Sequence, residues 1–98
     1  MSDLRKTAKG RACQVRIPGV CNGDPATVVL AHVRMAGLTG YGQKAPDVLG
    51  AHCCSACHDV VDGRVRTVNW TRDDVQSMFM QGVMRTIGLL CREGLLKW

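Results

Sequence analysis

"CCSACHDVVD", residues 53–62, sets three cysteines, one histidine and two aspartates side by side. These residue types serve structural metal clips and catalytic metal sites alike, so the rest of the chain has to separate the two. Cys54 and Cys57 form a C-x2-C pair, and "CQVRIPGVC" upstream carries a wider pair, Cys13 and Cys21. Two such pairs on two turns can supply four thiolates to a tetrahedral Zn²⁺. Pro18-Gly19 marks the turn that folds the first pair's chain back on itself. Cys53 permits a different set, but Cys54 has the standard spacing. Alternation along a strand also aims Cys53 to the side opposite Cys54. Cys91 reads as a small buried apolar side chain. The expected structural zinc set is therefore Cys13, Cys21, Cys54 and Cys57.

Size explains why a metal is wanted. The chain has 98 residues, enough for one domain, and only 4% of them are aromatic. A domain this small buries roughly 60–70% of its unfolded surface, and thin cores usually recruit a disulfide or a metal. Zinc on thiolates supplies about 10 kcal/mol or more of apparent folding energy. The start, "MSDLRKTAKGR", is basic and polar and does not read as an export signal. No apolar run approaches the ~20 residues of a membrane helix. A cytoplasmic chain with reduced thiols is the expectation, which favours metal ligands over disulfides.

Thirteen Lys and Arg against eight Asp and Glu give a net charge of +5. Charge alone suits an ordinary solvated surface as well as it suits a polyanion. Nucleic acid is the usual partner for such a field, and Arg11, Arg16 and Lys44 are the basic residues expected to meet it.

Further along, "TVVLAHVRM" is rich in β-branched residues and reads as a strand. "AGLTGYGQKAPD" is loop, "VLGAHCC" a short second strand, and "SACHDVVDGR" a helix starting near Ser55 and stopping at Gly63. Val75, Met78, Phe79, Gly82, Val83, Thr86, Ile87 and Leu90 recur at the spacing of one helical face. That predicts a helix over 72–92, with Thr71 as N-cap, Asp74 completing a capping box and Trp70 and Val75 placed as a hydrophobic staple. Its methionine-rich stripe is core packing or the face of a homodimer. The fold class is α+β.

His58 and Asp62 are four residues apart, so they share a helical face and could hold a divalent cation. His32 stands inside the first strand, where a lone histidine is usually an interior one. The sequence then runs from a histidine on a strand, through a glycine-rich loop and a second strand, to C-x2-C-H on a helix. In this order the chain resembles the HNH, or ββα-metal, nucleases with a four-cysteine zinc knuckle. From "LRKTAKGRACQVRIPGVCNG" through "LAHVRMAGLTG" and "KAPD" to "CSACHDVVD", it is similar to the small phage and prophage nucleases typified by YbcO.

The resemblance implies a single zinc-stabilised HNH-like domain over 1–98. It would comprise a basic arm at 1–11, the clip and ββα core at 12–63, and a C-terminal helix at 71–93. It implies an endonuclease acting on DNA in the cytoplasm of a bacterial host, with duplex, branched and single-stranded substrates all left open. His32 would be the general base, and His58 with Asp62 would hold Mg²⁺ or another divalent cation. Asp47 would stand near the family's middle Asn, tying down the loop and orienting His32. Arg34 and Lys44 would meet the scissile phosphate. Two positions depart from the family pattern. Ala31 replaces the Asp or His that precedes the catalytic histidine in many members, and the middle Asn is absent. A DNA-binding module that has lost its chemistry is the competing expectation.

Overall fold

Val29–His32 form strand β1 and Gly50–Cys53 form strand β2, paired antiparallel with Val29 opposite Cys53 and His32 opposite Gly50. The structure is a computed structural model that describes residues 4–33 and 48–96. Helix α1, Ser55–Val61, follows β2 almost at once, and helix α2, Arg72–Arg92, completes the order after a loop. Among the described residues the architecture is α+β, a two-stranded sheet with two α-helices and a short 3-10 turn at Pro25–Thr27. Leu30 and Ala31 are both buried, as are all four residues of β2. A solvated strand would alternate; these strands are covered on both faces.

Two hydrogen bonds close the free side of β2. The His52 N–H donates to Thr86 Oγ1 at 3.0 Å, and the Gln14 N–H donates to the His52 carbonyl at 2.7 Å. Thr86 in turn donates to the Gly82 carbonyl of its own helix at 2.8 Å. Helix α2 buries Val75, Phe79, Gly82, Val83, Thr86 and Leu90, the face that the sequence spacing marks. Its start is fixed by a reciprocal capping box. The Asp74 N–H donates to Thr71 Oγ1 and the Thr71 N–H to Asp74 Oδ2, each at 3.0 Å.

The helix lies unusually close to the upstream chain at Gly82. A Cβ there would sit 2.9 Å from Val15 Cα and 2.8 Å from Val15 Cγ2, and backbone cannot give way cheaply. Gly82→Ala is expected to destabilise the protein by about 1–3 kcal/mol through overpacking, even though alanine is the better helix former. Urea unfolding would read this as a lower midpoint with an unchanged slope; an unchanged midpoint would show that the contact is loose.

His52 is the polar residue that the core holds most tightly, with 0% exposure. Among the described residues neither of its ring nitrogens meets a hydrogen-bond partner. Burial holds its pKa below the ordinary histidine value, and the nearby Arg11 charge pushes the same way while Glu93 opposes it. The ring is neutral in the fold and takes up a proton readily only when unfolded. Its contribution is therefore whole above the unfolded pKa of about 6.5 and is lost as pH falls from there toward the folded value. His52→Leu removes both the unpaired nitrogens and this linkage. It is expected to gain about 1–3 kcal/mol at neutral pH, and the gap over the wild type should widen below about pH 6.5. Urea midpoints for the two proteins at matched pH check this, since effects of the cysteines are common to both. A less stable variant would mean that the imidazole has a partner.

Candidate metal centre and candidate active site

The four sequence-predicted thiols converge. Cys13, Cys21, Cys54 and Cys57 place their sulfurs within 4.8 Å of one another, the one such donor group among the described residues. Local chemistry explains how. Cys54 is the N-cap of α1, and its sulfur accepts the Cys57 N–H at 3.4 Å, which puts both thiols on the same side of the first turn. Upstream, Cys21 N–H and Val20 N–H both donate to the Ile17 carbonyl, closing the turn at Pro18-Gly19. Asn22 then donates to Ser55 Oγ at 3.1 Å, and the Ser55 N–H to Thr27 Oγ1 at 3.2 Å. These bonds fasten the Cys21 loop against the start of α1.

The set fits a tetrahedral cation. A Zn–S bond of about 2.3 Å gives sulfur–sulfur edges of about 3.8 Å, and Cys54 Sγ lies 3.8 Å from Cys21 Sγ. Backbone N–H groups aim at the sulfurs: Arg16 and Cys54 at Cys13, Gly23 at Cys21, Ile17 at Cys57. Such donors stabilise thiolates far more than thiols. Burial raises the Cys21 thiol, and the neighbouring Cys13 adds to that. Hydrogen bonds from Cys53 and Cys57 hold Cys13 down. The four cysteines could hold a metal such as zinc.

Cys53 corrects one expectation. Its thiol is not turned away but lies against Cys13 and Cys57, fully buried. Strand alternation ends at this residue. β2 ends at Cys53 and Cys54 caps α1, so the strand pairing that fixes alternation does not extend across the two thiols. Cys91 is half-buried on α2.

Beyond the clip, α1 presents His58 and Asp62 together, with His58 Nε2 3.1 Å from Asp62 Oδ2. Arg64 Nη1 reaches the same oxygen at 3.2 Å. His32, half-buried at the end of β1, lines a cavity of about 200 Å³ together with Val61, Asp62, Arg72, Gln76 and Phe79. His32 and Asp62 therefore share one cavity, and His58 touches Asp62 from the same helix. They do not form a three-donor ligand set, because the cysteines are the one such group among the described residues. Arg34, Lys44 and Asp47 lie outside the described residues.

Arg72 and Gln76 are the cavity residues that sequence reasoning missed. Arg72 donates to the last two carbonyls of α1, Val60 at 2.8 Å and Val61 at 2.9 Å. That ties the end of α1, where Asp62 sits, to the start of α2. A signal existed: a cation in the first turn of a helix opposes the helix dipole, so Arg72 had to be serving something else. It serves the carbonyl end of α1, where the same dipole favours it.

Arg11 and Arg16 fall in different settings. The Arg11 guanidinium is clasped by both carboxylate oxygens of Glu93, which lowers the Glu93 pKa and raises that of Arg11. Arg16 is exposed and bound to neutral acceptors, the Cys13 carbonyl and Gln14 Oε1. Among the described residues no helix is long and apolar enough to cross a membrane.

Comparison with known proteins agrees over the whole chain. A family described as "Putative nuclease YbcO" matches residues 2–95. Two proteins of that name, one from Escherichia coli strain K12 and one from Enterobacteria phage 82, are each 50% identical over 99% of both chains. A solved structure, a bacteriophage protein from Escherichia coli K-12 substrain MG1655, superposes with a TM-score of 0.77 at 42% identity. It covers 94% of this chain and 100% of its own. On sequence and architecture together, this chain belongs to the YbcO family.

Proposed function

We propose that the protein is a metal-dependent endonuclease of phage or prophage origin that hydrolyses DNA phosphodiester bonds on an HNH-like ββα-metal core. The observation that carries the reading is the shared cavity of His32 and Asp62, with Asp62 touching His58. The order β1, β2, α1 with C-x2-C-H opening the helix supports it, as do the relatives named "Putative nuclease YbcO". The domain would be a single unit, with the N-terminal segment as a basic arm and α2 as its C-terminal helix. Zn²⁺ on the four cysteines would be structural.

In this mechanism His32 accepts the proton of the attacking water, the general-base role that a histidine side chain most often fills. As the water oxygen bonds to phosphorus, the bond to the 3′ oxygen breaks. A divalent cation such as Mg²⁺, held by His58 and Asp62, would offset the negative charge that builds on the phosphoryl and leaving oxygens. Arg64 has to give up Asp62 Oδ2 for that. Arg72 fixes the end of α1 and keeps Asp62 facing the cavity. Asp47 would orient His32, and Arg34 and Lys44 would hold the phosphate.

A second reading, a DNA-binding module without hydrolysis, is favoured by Ala31, which is 2% exposed and offers no ligand where many relatives of the HNH type carry one. Supercoiled plasmid incubated with the protein and Mg²⁺, Mn²⁺ or Ni²⁺ decides between them. Metal-dependent nicking that His32→Ala loses supports the enzyme. Salt-sensitive binding with no nicking by any metal supports the module.

A further inference from the structure

Helix α2 carries a second basic feature, separate from the His32 cavity. Gln14, Arg16, Met84, Arg85, Gly88 and Arg92 line an open groove of about 450 Å³ between the cysteine knuckle and the C-terminal half of the helix. Its three arginines are each held in place by neutral acceptors. Arg16 donates to the Cys13 carbonyl at 3.2 Å and to Gln14 Oε1 at 3.1 Å. Arg85 donates to the Gln14 carbonyl at 2.8 Å and to Gln81 Oε1 at 3.3 Å. Arg92 donates to the Gly88 carbonyl at 3.3 Å.

The acids are engaged elsewhere. Among the described residues Glu93 clasps Arg11, Asp59 and Asp62 pair with Arg64, and Asp24 and Asp74 serve as caps. Asp73 stands in the first turn of α2, at the end of the helix far from the groove. Among the described residues the groove thus gathers guanidinium groups that are positioned but not paired with an acid, beside Gly88, where the helix leaves open space, and the exposed side chain of Met84. Arg16 adds a second sign. Its φ of +54° lies in the left-handed region, where glycine or asparagine would be cheaper by about 1–2 kcal/mol. The same turn aims the Arg16 N–H at Cys13 and carries its guanidinium to Gln14 at the groove.

We infer that the Arg16–Arg85–Arg92 groove is a binding site for the sugar-phosphate backbone of the DNA, apart from the phosphate to be cut. Forked guanidinium groups suit phosphate oxygens, and such contacts position a strand without reading its bases. Arg85 and Arg92 are two turns apart, about 10 Å of helix rise, far enough to meet two separate phosphates of one strand. The groove centre at Gly88 stands about 18 Å along α2 from Gln76 in the His32 cavity. The groove is thus a remote foothold that sets how the strand enters the cavity. This inference rests on DNA being the substrate.

The test compares wild type, Arg85→Gln/Arg92→Gln and Arg85→Lys/Arg92→Lys for binding of a labelled duplex between about 50 and 300 mM KCl, without added divalent cation. Removing two phosphate contacts lowers the slope of log K against log salt by about 1.8, or about 1.4 if a single strand is bound. Affinity at low salt should fall at least about tenfold, equally for unrelated sequences. The lysine variant keeps the charge and should keep most of the slope, which separates a phosphate role from the structural bond to Gln14. An unchanged slope in the glutamine variant overturns the inference, as does equal loss in both variants or failure of the wild type to bind. His32→Ala serves as the independent arm. If it still nicks plasmid, the hydrolytic reading falls, while the slope of the glutamine variant continues to judge the groove.

Discussion

Cys54→Ser is expected to yield a chain with little bound zinc and no cooperative unfolding transition, against about one zinc per chain in the wild type. The reasoning is energetic. A thiolate-bound zinc supplies about 10 kcal/mol or more, which matches the entire stability of a small domain, about 5–15 kcal/mol. Cys54 would do more than bind a metal. It caps α1, takes the Cys57 N–H and lies 3.8 Å from Cys21, so its loss disarms both halves of the cluster. Cys53 sits against Cys13 and Cys57 but outside the four-sulfur group, so it is not expected to replace Cys54. Zinc by elemental analysis, with circular dichroism on the same sample, checks both. A full zinc content in Cys54→Ser would show that Cys53 has taken over the fourth position, and Cys53→Ser/Cys54→Ser would then lose it.

The second large effect concerns chemistry rather than folding. His32→Ala is expected to lower plasmid nicking by about 10²–10⁴-fold, the range of a positioned general base, with the melting temperature little changed. His32 is only half-buried at the last position of β1, so truncation leaves no deep cavity in the core. His58→Ala should instead weaken the response to divalent cation, and excess Mn²⁺ should partly restore nicking there but not in His32→Ala. If His32→Ala cuts as fast as the wild type, the base lies elsewhere.

How much of this could be read from the chain varies by element. Helix α2 was fully legible, because its apolar spacing and the Thr71–Asp74 box are local signals that its packing obeys. That Cys13, Cys21, Cys54 and Cys57 come together was legible from their spacing and the Pro18-Gly19 turn, whereas the alternation argument against Cys53 failed. The contact of Cys53 with the cluster was not legible, since it depends on where a strand turns into a helix cap. His52 was overlooked because nothing in "GAHCC" distinguishes a buried imidazole from an exposed one. Leu4 and Ala8, the apolar anchors that set the N-terminal segment into the core, are hidden among its charges. Arg85 and Arg92 carry no sequence signal that singles them out, and Arg72 carries only its place in the first turn of α2. Their partners are carbonyls and amides contributed largely by other elements, and sequence spacing along one helix does not report those.

The closed side of β2 bears on how copies of the protein can meet. A two-stranded sheet normally invites a further strand along its margin. Here the His52 amide and carbonyl are already occupied by a threonine hydroxyl and a glutamine amide. Extension of the sheet by a third strand is blocked there, so a self-complementary ribbon or fibril cannot propagate from that side of the protein.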